Sequence, residues 1–262
     1  MMRSLTTAAT GMISQQQNLD TISNNLANVN TNGFKAQRAE FQDIVYQTVR
    51  ASGASTGASS SSPIAVQIGL GSKFAVNSAF EGQGPLTSTG NPTDLAIQGQ
   101  GYFQVQMPDG STGYTRDGSF KLDSTGQVVT NDGYQVIPSI QIPAGSTAVS
   151  ISGSGLVTAV LPGQSSPTTI GQITIATFSN PAGLTRLGHN LYAAGGASGD
   201  PQVGNPGSTG FGSVEAGFVE GSNVQVVEEM VKMIVAQRAY EVNSKAIQTA
   251  DEMLQTVGQL KR

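Results

Sequence analysis

The chain has no cysteine and no tryptophan, one histidine, and only 11% charged residues across 262 positions. Without cysteine there is no disulfide framework, no thiolate metal or iron–sulfur site and no thiol nucleophile. The lone histidine, His189, sits in Leu187-Gly188-His189-Asn190-Leu191-Tyr192 and has no second imidazole with which to complete a ligand set or a catalytic pair. A net charge of −4 with no Lys/Arg stripe bearing interleaved aromatics gives weak long-range fields, so nucleic acid is not an expected partner. No window offers the roughly 20 apolar residues of a membrane-spanning helix. The opening Met1-Met2-Arg3-Ser4-Leu5-Thr6-Thr7-Ala8 lacks the continuous apolar run of a cleavable signal, so any export is expected to use another route.

Catalytic signatures are missing as well. Gly69-Leu70-Gly71 and Gly99-Gln100-Gly101 lack the third glycine and the following helix of a dinucleotide site, and there is no Gly-Lys-Ser/Thr phosphate loop. Asp109, Asp117, Asp123 and Asp132 nearly all lie in or beside Gly-containing turns, where Asp supplies local hydrogen bonds. No cofactor, metal or catalytic residue is expected, and the chain reads as a non-enzyme.

What the sequence does contain is apolar periodicity at both ends and β-type texture between them. Leu5, Met12, Leu19 and Leu26 recur every seventh residue, and Ala8, Gln15, Ile22 and Val29 recur three places behind them. That is the spacing of an inter-helix seam. The spacing predicts a helix from about Ser4 to Val29, stopped by Asn30-Thr31-Asn32-Gly33 with Gly33 in the left-handed conformation. Its polar positions are crowded with Gln and Asn, which contribute little helix propensity, so alone in water it is marginal.

A second helix is predicted from Asn223 to Leu260, with Ser222 and Gln225 as a capping box and Glu228 and Glu229 in the early turns. One of its stripes is Met233, Tyr240, Ile247, Leu254; another is Ala239, Ala246, Met253, Leu260, with Val235 and Val242 beside it. Two stripes exceed what one partner helix covers, so the second face calls for other copies of the chain. A broad-faced helix lying on the β segment is the competing reading.

Residues 34–50 fit either a short helix or extended structure, and Ala51 to Ser62 is almost entirely Gly, Ala, Ser and Thr, the composition of a flexible linker. From Pro63 to Gly221, short β-type runs alternate with turn chemistry such as Pro108-Asp109-Gly110 and Asn131-Asp132-Gly133. Tyr102-Val105, Ser119-Leu122, Gln127-Val129, Ala148-Ile151 and Gln172-Ile175 are the clearest strands. The expected fold class is α+β: long N- and C-terminal helices paired as a coiled coil, a central irregular antiparallel β domain and an extended connector.

Two segments carry a resemblance. Asn24-Asn25-Leu26-Ala27-Asn28-Val29-Asn30-Thr31-Asn32-Gly33-Phe34-Lys35 resembles the N-terminal signature of bacterial flagellar rod and hook proteins. The run from Ser222-Asn223-Val224 through Val227-Glu228-Glu229-Met230-Val231 to Gln237-Arg238-Ala239-Tyr240-Glu241-Val242-Asn243 is similar to the signature at the other end. Asp94-Leu95-Ala96-Ile97 and Tyr114-Thr115-Arg116-Asp117-Gly118 look like the family's β-domain motifs, which do not separate its members. The segment Tyr46-Gln47-Thr48-Val49-Arg50, leading to Gln67-Ile68-Gly69, resembles the insertion of the distal-rod branch that hook relatives lack.

The resemblance implies a structural axial protein of the flagellar basal body, exported without a cleaved signal by the flagellar type III apparatus. It implies polymerisation in a helical tube crossing the periplasm, the distal rod, which carries motor torque to the hook. Expected partners are further copies of the chain, proximal rod proteins, hook protein, the periplasmic and outer-membrane ring proteins that act as a bushing, and the export apparatus. The expected division is residues 1–33 and 223–262 as the inner tube, 34–70 as connector and insertion, and 71–222 as the outer layer. Self-assembly residues are then Leu5, Met12, Leu19, Ile22, Leu26 and Val29 on the first helix. On the second they are Met233, Val235, Tyr240, Val242, Ile247, Met253, Leu254 and Leu260. The rod-stiffening insertion, implied by the resemblance in place of a linker, is assigned Tyr46, Gln47, Arg50, Ser62 and Pro63. The alternatives are a hook or proximal rod protein, or a secreted carbohydrate-binding β protein on a coiled-coil stalk.

Overall fold

Heptad spacing at the two ends becomes two long helices in the computed structural model, which describes residues 2–52, 63–146, 148–163 and 166–260. Helix α1 spans Met2–Ala27 and helix α2 spans Val226–Leu260. Between them lie twenty strands among the described residues, all paired antiparallel. The chain forms two compact units.

One unit comprises residues 1–26, 37–78 and 225–262. Here α1 and α2 pack on one another. The stretch that fits helix or strand by local pattern is β: β1 (Gln37–Asp43) and β2 (Tyr46–Arg50) run out, β3 (Val66–Gly69) and β4 (Ser72–Ala79) run back. Pairing of β1 with β4 and of β2 with β3 decides the matter, since partners outside the local window supply the ladder that local propensity could not choose. The putty between them is Phe41 edge-on to Phe74, with ring centroids 6.2 Å apart.

The other unit comprises residues 27–36 and 79–224. Its main sheet has nine strands, with Tyr102–Gln106 at the centre bonded to Thr112–Thr115 on one side and to Gln135–Ile137 and Ile175–Thr177 on the other. Leu95, Ile97, Phe103, Val105, Phe120, Val136, Val157, Ile173, Ile175 and Val214 form one buried cluster. The Phe103 and Phe120 rings meet edge to face at 5.1 Å. The run 172–175 is not a single strand: Thr168–Gln172 belongs to a three-stranded sheet and Ile175–Thr177 to the nine-stranded one, with Ile173 buried between them. Likewise only Lys121–Leu122 of the 119–122 run is strand, as Ser119 is held by the Asp117 carboxylate.

Gly33 takes φ +68°, and a Cβ there would lie 2.7 Å from the backbone of Arg116 and Asp117. Both the turn and the close approach therefore require glycine at the end of the α1 stop signal. Helix α2 begins three residues later than the capping-box pattern predicts, with the Gln225 carbonyl accepting from Glu229 N–H at 3.0 Å. The reason is that the Asn223 side chain is bound instead to Ala36, Phe80 and Gly82.

Candidate self-assembly surface

The α1/α2 pair is antiparallel: Asn25 faces Glu229 near one end, and Gly11 faces Asn243 two heptads along. Asn25 is 1% exposed and uses its whole amide. Its Nδ2 donates to Glu229 Oε2 at 3.0 Å and to the Gln37 carbonyl at 2.8 Å, while its Oδ1 accepts from Gln37 N–H at 2.8 Å. A carboxylate buried in the first turn of α2 is thus satisfied by an amide, by the positive end of the helix and by Lys232 at 2.7 Å. Sequence reading counts this Asn among weak helix formers on a polar face; the structure corrects that, since the residue is buried in the seam.

The predicted α1 residues divide by depth. Ile22 is buried, as is Ala8, while Leu5, Met12, Leu19 and Leu26 are half-buried; Val29, half-buried, lies in the turn that follows the helix. Ser14 of α1, also buried, shares a hydrogen bond of 3.1 Å with Ser72 of β4.

On α2 the predicted residues fall on two opposite faces. Met233, Ile247 and Leu254 are half-buried and Tyr240 is partly exposed, in line with buried Glu229, Ala236 and Ala250. Val235 and Val242 are 62% and 65% exposed, and Met253 is exposed beside them. At about 100° per residue these share an arc with Val227, Val231 and Ile234, all exposed, opposite the Glu229–Leu254 line. From Val227 to Val242 Arg238 alone interrupts that strip; Lys245, Thr249 and Glu252 share the arc before Met253. The side chain of Leu260 lies outside the described residues.

The arm formed by β2 and β3 exposes every side chain of β2, including Tyr46, Gln47 and Arg50. Tyr46 pairs with Gly69, whose lack of a side chain leaves room for the ring, and Gln47 pairs with Ile68. Val45, Val49, Ile64, Val66 and Ile68 are exposed too, as is Pro63; Ser62 lies outside the described residues. A two-stranded ribbon with no covered face is marginal by itself.

In the β unit, sequence reading missed a buried ionic cluster. Lys35 Nζ lies 2.6 Å from Glu220 Oε1 and Arg116 Nη1 lies 3.4 Å from Glu220 Oε2, all three residues being buried. Glu220 Oε1 also accepts from Gly84 N–H, Lys35 donates to the Gly82 carbonyl, and Arg116 donates to the carbonyls of Ile97 and Gly99. Burial holds the Lys35 pKa below its ordinary value despite the attraction of Glu220. Nearby, Asn223 accepts from Ala36 N–H at 2.7 Å and donates to the carbonyls of Phe80 and Gly82. The only signal for these was position: Lys35 ends one signature, Asn223 is the second residue of the other, and Glu220 lies two residues before that one begins.

His189 sits at an exposed hairpin tip with φ +54°, 3.5 Å from Asp132. Among the described residues no group of three or more His, Cys, Asp or Glu is placed to hold a metal, and no helix is long and apolar enough to cross a membrane.

Three family models match. Residues 5–35 match a flagella basal body rod protein family, 96–159 the D1 domain of the flagellar hook protein FlgE/F/G, and 215–260 the C-terminal region of the flagellar basal body rod FlgEFG protein. The chain is 49% identical over 261 residues to the flagellar basal-body rod protein FlgG of Caulobacter vibrioides, covering 99% of this chain and 100% of that one. Identity is 48% over 264 residues to FlgG of Borreliella burgdorferi, with both chains covered in full. It is also 48% over 260 residues to FlgG of Buchnera aphidicola from Acyrthosiphon pisum, covering 99% and 100%. The chain belongs to the FlgG family of flagellar basal-body rod proteins. Each matched segment contributes one member of the buried ionic cluster: Lys35 from the first, Arg116 from the second, Glu220 from the third. In this chain three stretches distant in sequence thus meet in one buried cluster.

Proposed function

We propose that this rod protein polymerises into the distal rod of the flagellar basal body and carries motor torque to the hook. The observation that carries the reading is the apolar strip Val227, Val231, Ile234, Val235 and Val242, left in solvent on the side of α2 away from α1. A strip of that kind is covered when neighbouring copies pack helix against helix. The terminal helices, residues 1–33 and 223–262, then form the inner wall of a helical tube, and residues 71–222 form its outer layer. Bending such a tube requires many packed contacts to slide at once, which is the physical origin of stiffness.

In this reading Val235, Val242 and Met253 lie between copies, whereas Ile22, Met233, Ile247 and Leu254 hold the intrachain seam on which the neighbours pack. The arm bearing Tyr46, Gln47, Arg50 and Pro63, together with Ser62, is the stiffening insertion, and its exposed apolar residues rest on neighbours. Partners are proximal rod proteins at one end, hook protein at the other, ring proteins around the outer layer, and the type III export apparatus during delivery. Replacing Ile247 or Leu254 by Asp is expected to block polymerisation while sparing the β unit; normal motility in such cells would overturn this.

The direct test is electron microscopy of basal bodies from cells lacking the gene and from complemented cells. A rod that stops short of its distal section, restored by the gene, is the expected result. A complete rod lacking only the hook would reassign the chain to hook protein.

A further inference from the structure

The α1/α2 seam holds few large apolar side chains, and those it has repeat every seven residues. A heptad-periodic seam can slide by one heptad at small loss of burial, so burial alone does not select the observed alignment. We infer that Asn25–Glu229 and Gly11–Asn243 are a register lock, which selects one alignment of the terminal helices rather than supplying most of their pairing energy.

Consider the two neighbouring alignments. Moving α2 one way brings Glu229 opposite Asn18, an amide able to replace Asn25 as donor. Asn18, however, has no hold on β1, whereas Asn25 grips both the N–H and the carbonyl of Gln37 at 2.8 Å. Sliding therefore separates a carboxylate that is 4% exposed from the one amide anchored to receive it. Moving α2 the other way carries Glu229 past the end of α1 at Ala27 and sets Asn243 against Asn18. In the observed alignment the Asn243 side chain packs directly on Gly11, and a Cβ there would lie 2.9 Å from Asn243 Nδ2, so any larger residue at this level displaces the Asn243 amide. With Asn18 in that place the Asn243 amide loses the space that Gly11 leaves for it. Each member of the lock thus opposes a different slip.

The absence of native cysteine permits disulfide mapping on the full-length protein. Gln15→Cys with Tyr240→Cys reports the observed register; Gln15→Cys with Met233→Cys and Gln15→Cys with Ile247→Cys report the two slips. In the otherwise native chain only the first pair should cross-link efficiently. In a Gly11→Ala, Glu229→Leu background, helix content by circular dichroism should persist, because an apolar side chain replaces a buried charge. Cross-linking of a slipped pair should then rise about tenfold, the ratio set by losing one charge-assisted hydrogen bond. Glu229→Gln, which keeps an acceptor for Asn25, should retain the native pattern. Continued cross-linking of the first pair alone in the Leu background would overturn the lock. Loss of all three cross-links together with helix content would overturn it too, by showing that the pairs supply stability instead of alignment.

Discussion

In the unit of residues 27–36 and 79–224, Leu95, Ile97, Phe103, Val105 and Phe120 are each at most 1% exposed, whereas in the helical unit Ile22 is the one buried apolar side chain larger than alanine among the described residues. Fully burying such a side chain contributes about 1.5–3 kcal/mol, so these five offset part of the entropy of ordering the β unit. The helical unit instead buries Ser14, Thr21, Asn25 and Glu229 and leaves valines and isoleucines in water. One region closes its core within a single chain. The other joins two helices through buried polar contacts and leaves valines and isoleucines of α2 exposed.

The most severe break of this contrast is at the outer strip. Val235→Asp with Val242→Asp should abolish rod assembly and motility, yet shift unfolding of the isolated chain by no more than about 0.5 kcal/mol, since both side chains already face solvent. Motile cells, or a chain that unfolds, would show that the strip is not an intersubunit surface. Next in size, Glu220→Ala strands Lys35 and Arg116 in the β unit and should cost about 3–5 kcal/mol in urea unfolding. An unchanged midpoint would mean that water reaches those cations. Asn223→Ala removes three hydrogen bonds in the same unit, and about 1–3 kcal/mol is expected, with faster amide exchange at Ala36 as the local readout.

The smallest effect concerns acid. Asp109 and Asp123 accept turn hydrogen bonds from Ser111 and from Thr125 and Gln127, which hold both carboxyls below their ordinary value of 3.8. A pKa lowered by folding stabilises above 3.8 and is lost as pH falls through the folded value. Amide exchange at Ser111 and Gln127 should therefore accelerate only below that point, while the seam amide of Glu229 at the same pH serves as the comparison. No acceleration would mean that the turns do not depend on the charged carboxylates.

Much of the fold was legible because its signals are local. A seven-residue repeat marks α1 and α2, Gly33 marks the stop, and Tyr102–Gln106 has the β-branched and aromatic texture of a central strand. Residues 37–50 were not decidable that way, since β1 and β2 exist through partners in β4 and β3. The start of α2 was misplaced for a related reason: Ser222 and Gln225 have the spacing of a cap, but the adjacent Asn223 is bound to Ala36, Phe80 and Gly82. Division of α2 into a seam face and an outer face was foreseeable from its two stripes, although which stripe stays exposed was not.

Composition and periodicity by themselves determined the α+β class, the helical ends, the β middle and the absence of thiol chemistry, because each depends on residue type and short-range spacing. The ionic cluster, the Asn25 clasp and the face of α2 that remains in water were decided by the folded arrangement. Each of these depends on which distant residue arrives to desolvate or to satisfy a group, and a charge or amide has no fixed worth until that partner is in place.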